Sequence, residues 1–208
     1  MLRRLSLFTI VTLALLNAVR ANAAPVCAVA GNLVQNCGFE TGDFTGWTLT
    51  GDTVHAGVDA FDAHSGNFGA FIGGFGSINA GDQNFAALSQ SLSTIVGQGY
   101  LLSFYWAHLT NADVTPDNVF AAFVGTGLAT GTLQRNVADQ PYIRSLPFYF
   151  VATSNATTLQ FLAEDANFFF SLDDVTVTPG APEPATLFLV APVLAGLFFT
   201  VRRRHCSG

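Results

Sequence analysis

Two adjacent carboxylates near the end of the chain, Asp173 and Asp174, constrain the chemistry of this protein most strongly. They lie in the segment Leu172-Asp173-Asp174-Val175. This segment favours a β-strand, in which neighbouring side chains point to opposite faces. At least one carboxylate then points toward apolar neighbours, where an unpaired charge is very unfavourable. A calcium ion, which binds oxygen ligands, satisfies such a carboxylate. Hydrogen bonding to loop amides and simple solvation are the alternatives.

Few cationic side chains are available to pair with these carboxylates. Residues 24–180 contain no lysine and only two arginines, Arg135 and Arg144, against thirteen acidic residues, which gives a formal charge of −11. Such a surface attracts metal cations and repels nucleic acid. The composition therefore favours calcium as a structural cofactor and excludes nucleic acid as a partner.

Aromatic residues form the second candidate group, because sugar recognition uses flat rings for stacking and a few polar groups for orientation. In the apolar segment 99–109, alternation places Trp106 and His108 on one face of a strand. Together with Tyr142 they are predicted to line a glycan-binding surface. The alternative is that Trp106 belongs to the core. The Phe168-Phe169-Phe170 run must leave one ring outside, whichever face is buried.

The sequence offers little for catalysis. A glycosidase needs two carboxyl groups facing each other across a sugar, and the only glutamates in residues 24–180 are Glu40 and Glu164. Neither a Gly-x-Ser-x-Gly elbow nor a His-Glu-x-x-His motif occurs. His64 and Ser65 are interpreted as solvated turn residues. These observations predict a protein that is not an enzyme.

The elements that must position these side chains are β-strands. Glycine, threonine, serine and phenylalanine are plentiful, and turn signals recur at short spacing. Nine strands are predicted, the first over residues 32–40, a central one over 99–109 and the last over 168–178. The sequence therefore predicts one all-β domain over residues 24–180, an antiparallel β-sandwich.

The N-terminal residues have the composition of a targeting segment. Arg3-Arg4 is followed by an apolar run over residues 5–16 and by the small-x-small site Ala21-Asn22-Ala23. This order is typical of a secretory signal peptide, which is predicted over residues 1–23.

The C-terminal residues 181–208 combine a Pro182-Glu183-Pro184 turn, an apolar run to Val201, and the basic triplet Arg202, Arg203 and Arg204. The run reaches the lower limit of about 17 residues for a single membrane-spanning helix. This order resembles the PEP-CTERM sorting tail of exported bacterial proteins. The resemblance implies export through the inner membrane of a Gram-negative bacterium, a membrane-anchored stage before processing, an exosortase-type enzyme as partner, and a final location at the cell surface or in the medium.

Four short motifs follow one another within residues 24–180. They are Asn32-Leu33-Val34-Gln35-Asn36-Cys37-Gly38-Phe39-Glu40, Gly46-Trp47, His64-Ser65-Gly66 and Leu172-Asp173-Asp174-Val175. Together they resemble the galactose-binding-like jelly roll of several carbohydrate-binding module families. The resemblance implies a jelly-roll sandwich with a structural calcium. Carried onto this sequence, the ligands are Glu40, Asp173 or Asp174, and backbone carbonyls near Ser65 and Asn67.

The cysteines are consistent with export. Cys27 and Cys37 lie in the predicted domain, and Cys206 lies in the tail. In an oxidising compartment the first two form an even pair that is able to make a disulfide. Two unpaired, half-buried thiols are the alternative.

Three functions follow, in order of preference. The first is a non-catalytic module at the cell surface that binds polysaccharide and is associated with exopolysaccharide. The second is a structural protein of a biofilm or extracellular matrix, which self-associates without recognising a specific glycan. The third is a hydrolase acting on glycans.

Overall fold

The computed structural model describes residues 24–74, 84–109, 118–165 and 168–180, which form two antiparallel sheets. Sheet A contains, in spatial order, β1 (Thr48–Gly51), β4 (Ala86–Ser93), β11 (Ala156–Asp165), β6 (Asn118–Val124) and β7 (Gly127–Leu128), with β8 (Gln134–Arg135) also paired to β6. Sheet B contains β10 (Phe148–Val151), β5 (Gly99–His108), β12 (Phe170–Pro179), β3 (Gly69–Ile72) and β2 (Ala56–Asp59), with β9 (Gln140–Arg144) also paired to β5. The predicted all-β architecture with antiparallel sheets is confirmed.

The core lies between the two sheets and is rich in aromatic rings. Phe104 of β5 meets Phe161 of β11 edge to face, with 5.0 Å between ring centroids. Trp106 of β5 stacks on Phe120 of β6 at 5.8 Å. All four side chains are almost fully buried. Burial of rings of this size dominates the energetics of a core, so these contacts hold the sheets together.

The side of sheet B that points away from sheet A is called the outer face here. Tyr105 on β5, Phe71 on β3 and Ser171 on β12 each lie between two buried core residues in sequence. Because successive side chains of a strand alternate between faces, all three lie on the outer face. This face carries the candidate site.

The prediction of a strand over residues 32–40 is wrong. Asn36 and Phe39 have φ angles of 47° and 54°, in the left-handed region, and turns occupy most of the segment. The segment nevertheless lies along β12, since the amide of Leu33 donates to the carbonyl of Val177 at 2.9 Å. β3 pairs only with residues 170–172 of β12. The segment lies along the remaining part of the same edge of β12.

The predicted disulfide between Cys27 and Cys37 is present, with 5.9 Å between the Cα atoms. Cys27 is fully buried. Its amide donates to Oδ1 of Asp174 at 3.0 Å. The disulfide therefore fixes the N-terminal segment next to the carboxylates of β12.

Two predicted segments lie outside the described residues and remain predictions. These are the signal peptide, 1–23, and the sorting tail, 181–208, with Pro182, Glu183, Pro184, Arg202, Arg203 and Arg204. Among the residues that the structure describes, no helix has the length and apolar character needed to cross a membrane.

Candidate functional site

A β-bulge in β12 sets the directions of Asp173 and Asp174. Asp173 is opposite Tyr105 and Thr176 is opposite Ser103, so three steps along β12 match two steps along β5. Asp174, within the bulge, has a φ of 51°. One extra residue interrupts the alternation of side chains. The expectation that the two carboxylates point to opposite faces is therefore wrong, since the same two loop residues contact both.

Those loop residues are His64 and Ser65, which lie over the outer face. Oδ2 of Asp173 accepts the amides of His64 and Ser65 at 2.8 and 3.0 Å. Oδ2 of Asp174 lies 2.7 Å from Nδ1 of His64 and accepts the hydroxyl of Ser65 at 2.7 Å. The His64 ring also stacks on Tyr105, with 3.8 Å between centroids. His64 and Ser65 thus anchor the loop rather than forming a solvated turn.

Burial governs the titration of Asp173. Its side chain is fully buried, and this desolvation raises its pKa to about 7, although the amide of Ser65 acts in the opposite direction. The nearby charge of Asp174 adds to the increase. Asp173 is therefore partly protonated near neutral pH and hydrogen-bonded on both oxygens, because its Oδ1 accepts the amide of Asp174.

The carboxylates that the jelly-roll resemblance assigns to calcium are hydrogen-bonded to the loop over the outer face in the described residues. Oε1 of Glu40 accepts the amides of Asn67 and Phe68 at 2.8 and 3.2 Å, and Oε2 accepts Nδ2 of Asn67 at 3.0 Å. In the part of the chain that the structure describes, one group of at least three histidine, cysteine, aspartate or glutamate side chains has its ligand atoms within 4.8 Å of one another, namely His64, Asp173 and Asp174. Glu40 is not in that group, and an imidazole nitrogen is a poor calcium ligand. These carboxylates are thus bonded to loop amides in the described residues.

The structure leads to a direct expectation for calcium, whose binding stays a prediction of the sequence alone. We expect the melting temperature of the full chain in millimolar calcium and in EDTA to agree within about 1 °C, because a ligand stabilises only a fold that binds it. The measurement is differential scanning calorimetry in both buffers, with magnesium as the matched salt control. A calcium-specific rise of several degrees would restore the calcium site.

The prediction that Trp106 and His108 line a glycan surface is wrong. Trp106 is 3% exposed and His108 is 2% exposed, and both rings pack in the core, where His108 stacks on Phe170. Nε2 of His108 lies 2.5 Å from Oδ2 of Asp165. The alternative, that Trp106 belongs to the core, is the observed arrangement.

Tyr142, the third predicted binding residue, lies half-buried beside the loop over the outer face. Its hydroxyl donates to the carbonyl of Asp62 at 2.5 Å, and its ring lies 5.1 Å from that of His64. Burial, followed by the charge of Asp173, raises the pKa of Tyr142 well above its ordinary value. Tyr142 therefore supports the loop, and a direct role in binding stays a prediction.

A pocket of about 280 Å³ lies on the outer face at one end of sheet B. It is called the Phe61 pocket here, and its lining residues are Asp59, Phe61, Asp62, Phe71, Leu109, Phe168, Phe169 and Ser171. Phe61 is 71% exposed and Phe169 is 37% exposed. The Phe169 ring meets that of Phe71 at 5.1 Å. Exposed rings beside carboxylates are the chemistry of a saccharide site.

The sequence indicates this pocket only in part. The Phe168–Phe170 run was expected to leave one ring outside, and Phe170 is indeed buried whereas Phe169 is exposed. Phe61 was missed. Its signal was a large apolar residue in a loop of otherwise small and polar residues, where no core contact explains it.

Two carboxylates organise one wall of the Phe61 pocket. Oδ1 of Asp59 accepts the amides of Phe61 and Asp62 at 2.8 and 3.0 Å, which fixes the turn that presents the Phe61 ring. Asp62 is buried and hydrogen-bonded to the hydroxyl of Ser171. Burial, with the charge of Asp59, raises the pKa of Asp62 to about 6.

This pKa gives a stability prediction for Asp62→Asn. In the unfolded chain the Asp62 carboxyl ionises near its ordinary pKa of 3.8, but in the folded protein it keeps its proton to about pH 6. Between these values the folded state binds more protons, so its contribution to the free energy of unfolding falls as pH rises. We expect the substitution to flatten the decrease in melting temperature between pH 4 and pH 6. Thermal melts across that range test it.

The matched control for this experiment is Asp43→Asn. Hydrogen bonds from Thr45 and Thr41 lower the pKa of Asp43, which therefore titrates below this pH range. The control should keep the slope of the unmodified protein. An Asp62→Asn variant with that same slope would show that Asp62 ionises normally.

The fold of the described residues is similar to that of several solved structures. No protein-family model matches this sequence, and no curated protein matches it. Among solved structures, the chain is similar to the CBM22-1 and GH10 modules of a Clostridium thermocellum xylanase complexed with xylohexaose, with a TM-score of 0.51 and 18% identity over 74% of this chain and 29% of that chain. It is also similar to the enzymatically active domain of tailspike protein 4 of bacteriophage CBA120, with a TM-score of 0.50 and 13% identity over 72% of this chain and 22% of that chain.

A third similar structure is the module TmCBM61 in complex with β-1,4-galactotriose, with a TM-score of 0.47 and 17% identity over 72% of this chain and 99% of that module. At these identities the similarity concerns the fold alone. The described residues form a β-sandwich with the fold of the first two of these structures, in agreement with the sandwich that the sequence motifs implied.

Proposed function

We propose that this protein binds a polysaccharide at the Phe61 pocket without cleaving it. The observation that carries the proposal is the pair of exposed rings, Phe61 and Phe169, beside carboxylates on one sheet face. Export, processing by an exosortase-type enzyme and a surface location belong to this proposed function. They rest on the predicted signal peptide, residues 1–23, and the predicted sorting tail, residues 181–208. A surface protein of this kind would meet exopolysaccharide directly.

The pocket supplies both parts of saccharide recognition. The Phe61 ring gives a flat apolar surface for the C–H face of a pyranose ring, and Phe169 supplies a second ring. The carboxylate of Asp59 and the hydroxyl of Ser171 line the same pocket, where they can accept or donate hydrogen bonds to sugar hydroxyls. A shallow, open site of this kind suits one or two units of a longer chain.

One observation favours the alternative of a glycan hydrolase. Asp62, with a pKa raised to about 6, lies beside Asp59, and a raised carboxyl pKa is typical of a general acid. However, the two carboxyls belong to one turn, in which Asp59 accepts the amide of Asp62. Glycosidases need carboxyls on opposite sides of the sugar, about 5 Å or more apart. Binding without turnover is therefore preferred.

A second observation favours the alternative of a self-associating matrix protein. Ile95, Val96 and Val151 are at least half exposed, and the amide of Gly97 bonds the carbonyl of Ala152, so these apolar side chains share one end of the sandwich. Exposed apolar patches often mark association sites. Sedimentation velocity over a range of protein concentrations distinguishes this function, because a glycan-binding monomer keeps one sedimentation coefficient.

The experiment that tests the proposal is a glycan-array screen of the full chain that includes galactotriose and xylohexaose. Hits are then incubated with the protein and analysed for released reducing ends. We expect saturable binding to a limited set of glycans and no product. Binding to none of the polysaccharides would contradict the proposal, and product formation would establish the hydrolase.

A further inference from the structure

A second cleft of about 240 Å³ lies on the outer face of sheet B, and Arg144 lines it. Arg144 is opposite Tyr105 in the pairing of β9 with β5, so its side chain shares the outer face with Tyr105. Ser103 and Thr176, on the neighbouring strands, also line this cleft. The His64 ring is stacked on Tyr105, which lines this Arg144 cleft.

The guanidinium of Arg144 is held in place but keeps most of its donors available. Its Nε donates to the hydroxyl of Ser103 at 3.1 Å, and Thr176 donates to the carbonyl of Ser103 at 3.1 Å. Among the described residues, Arg144 has no carboxylate within 4.0 Å, and its two Nη groups have no hydrogen-bond partner. The fork of an arginine in this state matches a carboxylate in two parallel hydrogen bonds.

Asp174 also lines this cleft, and its own bonds explain why it does not pair with Arg144. Its Oδ1 accepts the amide of Cys27 and the hydroxyl of Ser65, and its Oδ2 contacts Ser65 and His64. The side chain has no exposed surface. The carboxylate is therefore saturated by the loop and the disulfide-linked segment, and the positive charge of Arg144 is left for a ligand.

We propose that the Arg144 cleft binds the carboxylate of an acidic sugar unit, so that the polysaccharide recognised by this protein carries uronic acids. This inference rests on the proposed function and extends the same sheet face to a second subsite. The hydroxyls of Ser103 and Thr176 line the same cleft beside the guanidinium of Arg144. Val26 and Val29, both about half exposed, form an apolar wall of the cleft.

The acidity of the protein makes this cleft selective. With a formal charge of −11 over residues 24–180, a free anion is repelled by the molecule as a whole. A carboxylate carried on a sugar chain is bound only where short-range hydrogen bonds and contacts of neighbouring sugar units outweigh that repulsion. Free acetate or glucuronate is therefore expected to bind much more weakly than an acidic oligosaccharide.

The test compares two forms of one ligand by isothermal titration calorimetry with the full chain. The first is a uronic-acid oligosaccharide, and the second is the same oligosaccharide after its carboxyl groups are reduced to alcohols. We expect the acidic form to bind about tenfold more tightly, as for one charge-assisted bidentate pair. Arg144→Gln should remove this preference and leave the affinity for the reduced form unchanged.

Arg135→Gln is the matched control, because Arg135 is the other arginine of residues 24–180 and is exposed on β8, away from the cleft. It removes the same charge and should keep the tenfold preference. Arg144→Lys should keep only part of the preference for the acidic oligosaccharide, since a lysine cannot form the bidentate pair.

The outcomes separate this inference from the proposed function. If both ligand forms bind the unmodified protein equally, or if Arg144→Gln retains the preference, the inference is wrong while polysaccharide binding stands. If Arg144 alone controls binding and the Phe61 pocket has no effect, the inference stands and the proposed pocket is wrong. Loss of the preference in both arginine variants would indicate general electrostatics and would overturn the inference.

Discussion

Replacing Phe61 and Phe169 together by alanine is expected to lower the affinity for the recognised polysaccharide by about a hundredfold, roughly tenfold for each stacking ring. Both rings line the Phe61 pocket and are exposed, Phe61 by 71%. Their removal takes away the apolar surface on which a sugar ring stacks, while the neighbouring carboxylates remain. The measurement is isothermal titration calorimetry with the strongest hit from the glycan array.

Phe61→Ala alone is the cleanest form of this experiment. Because the ring is mostly in solvent, its loss should change the free energy of unfolding by no more than about 0.5 kcal/mol. Tyr149→Ala is the control, since Tyr149 is 59% exposed but lies outside the pocket, and its loss should leave affinity unchanged. If Phe61→Ala and Tyr149→Ala lower the affinity by the same factor, the binding surface does not lie at the Phe61 pocket.

Removing the disulfide by the double substitution of Cys27 and Cys37 with serine is expected to lower the free energy of unfolding by roughly 3 kcal/mol, from loop-closure entropy alone. The two cysteines are ten residues apart, and Cys27 is fully buried. The Cys27 amide also donates to buried Asp174. For a domain of this size we expect a decrease in melting temperature of about 10 °C.

The control for the disulfide is Cys206→Ser, which removes the remaining cysteine of the chain and should leave the melting temperature unchanged. Treatment of the unmodified protein with a reductant should reproduce the effect of the double substitution. Unchanged stability in the double variant would mean that the contacts of the N-terminal segment suffice without the disulfide.

Much of the sandwich could be predicted from the sequence, because apolar runs bounded by turn residues indicate strands. The predicted central strand over residues 99–109 matches β5, Gly99–His108. The segment 32–40 misled because its apolar residues pack against the core from turns, where Asn36 and Phe39 adopt positive φ angles. The pattern of apolar residues in segment 32–40 indicates which side chains are buried, but it does not indicate the backbone conformation.

The candidate site was less predictable for a definite physical reason. Alternation of side chains assigns residues to the correct face of a strand only while the pairing register is regular. The bulge at Asp174 interrupts that register in β12. A bulge depends on the partner strand, which one sequence does not specify. Trp106 shows a related limit. Alternation correctly placed Trp106 and His108 on the same face of their strand, but only the packing of the two sheets decides whether that face is buried.

The most direct measurement of the central claim is a chemical-shift titration of the ¹⁵N-labelled full chain with the strongest glycan hit. Binding at the outer face of sheet B predicts the largest changes at the amides of Phe61, Phe71 and Ser171, with the outer positions of sheet A unaffected. Changes confined to sheet A, or none at saturating ligand, would contradict the assignment of this face as the glycan-binding surface.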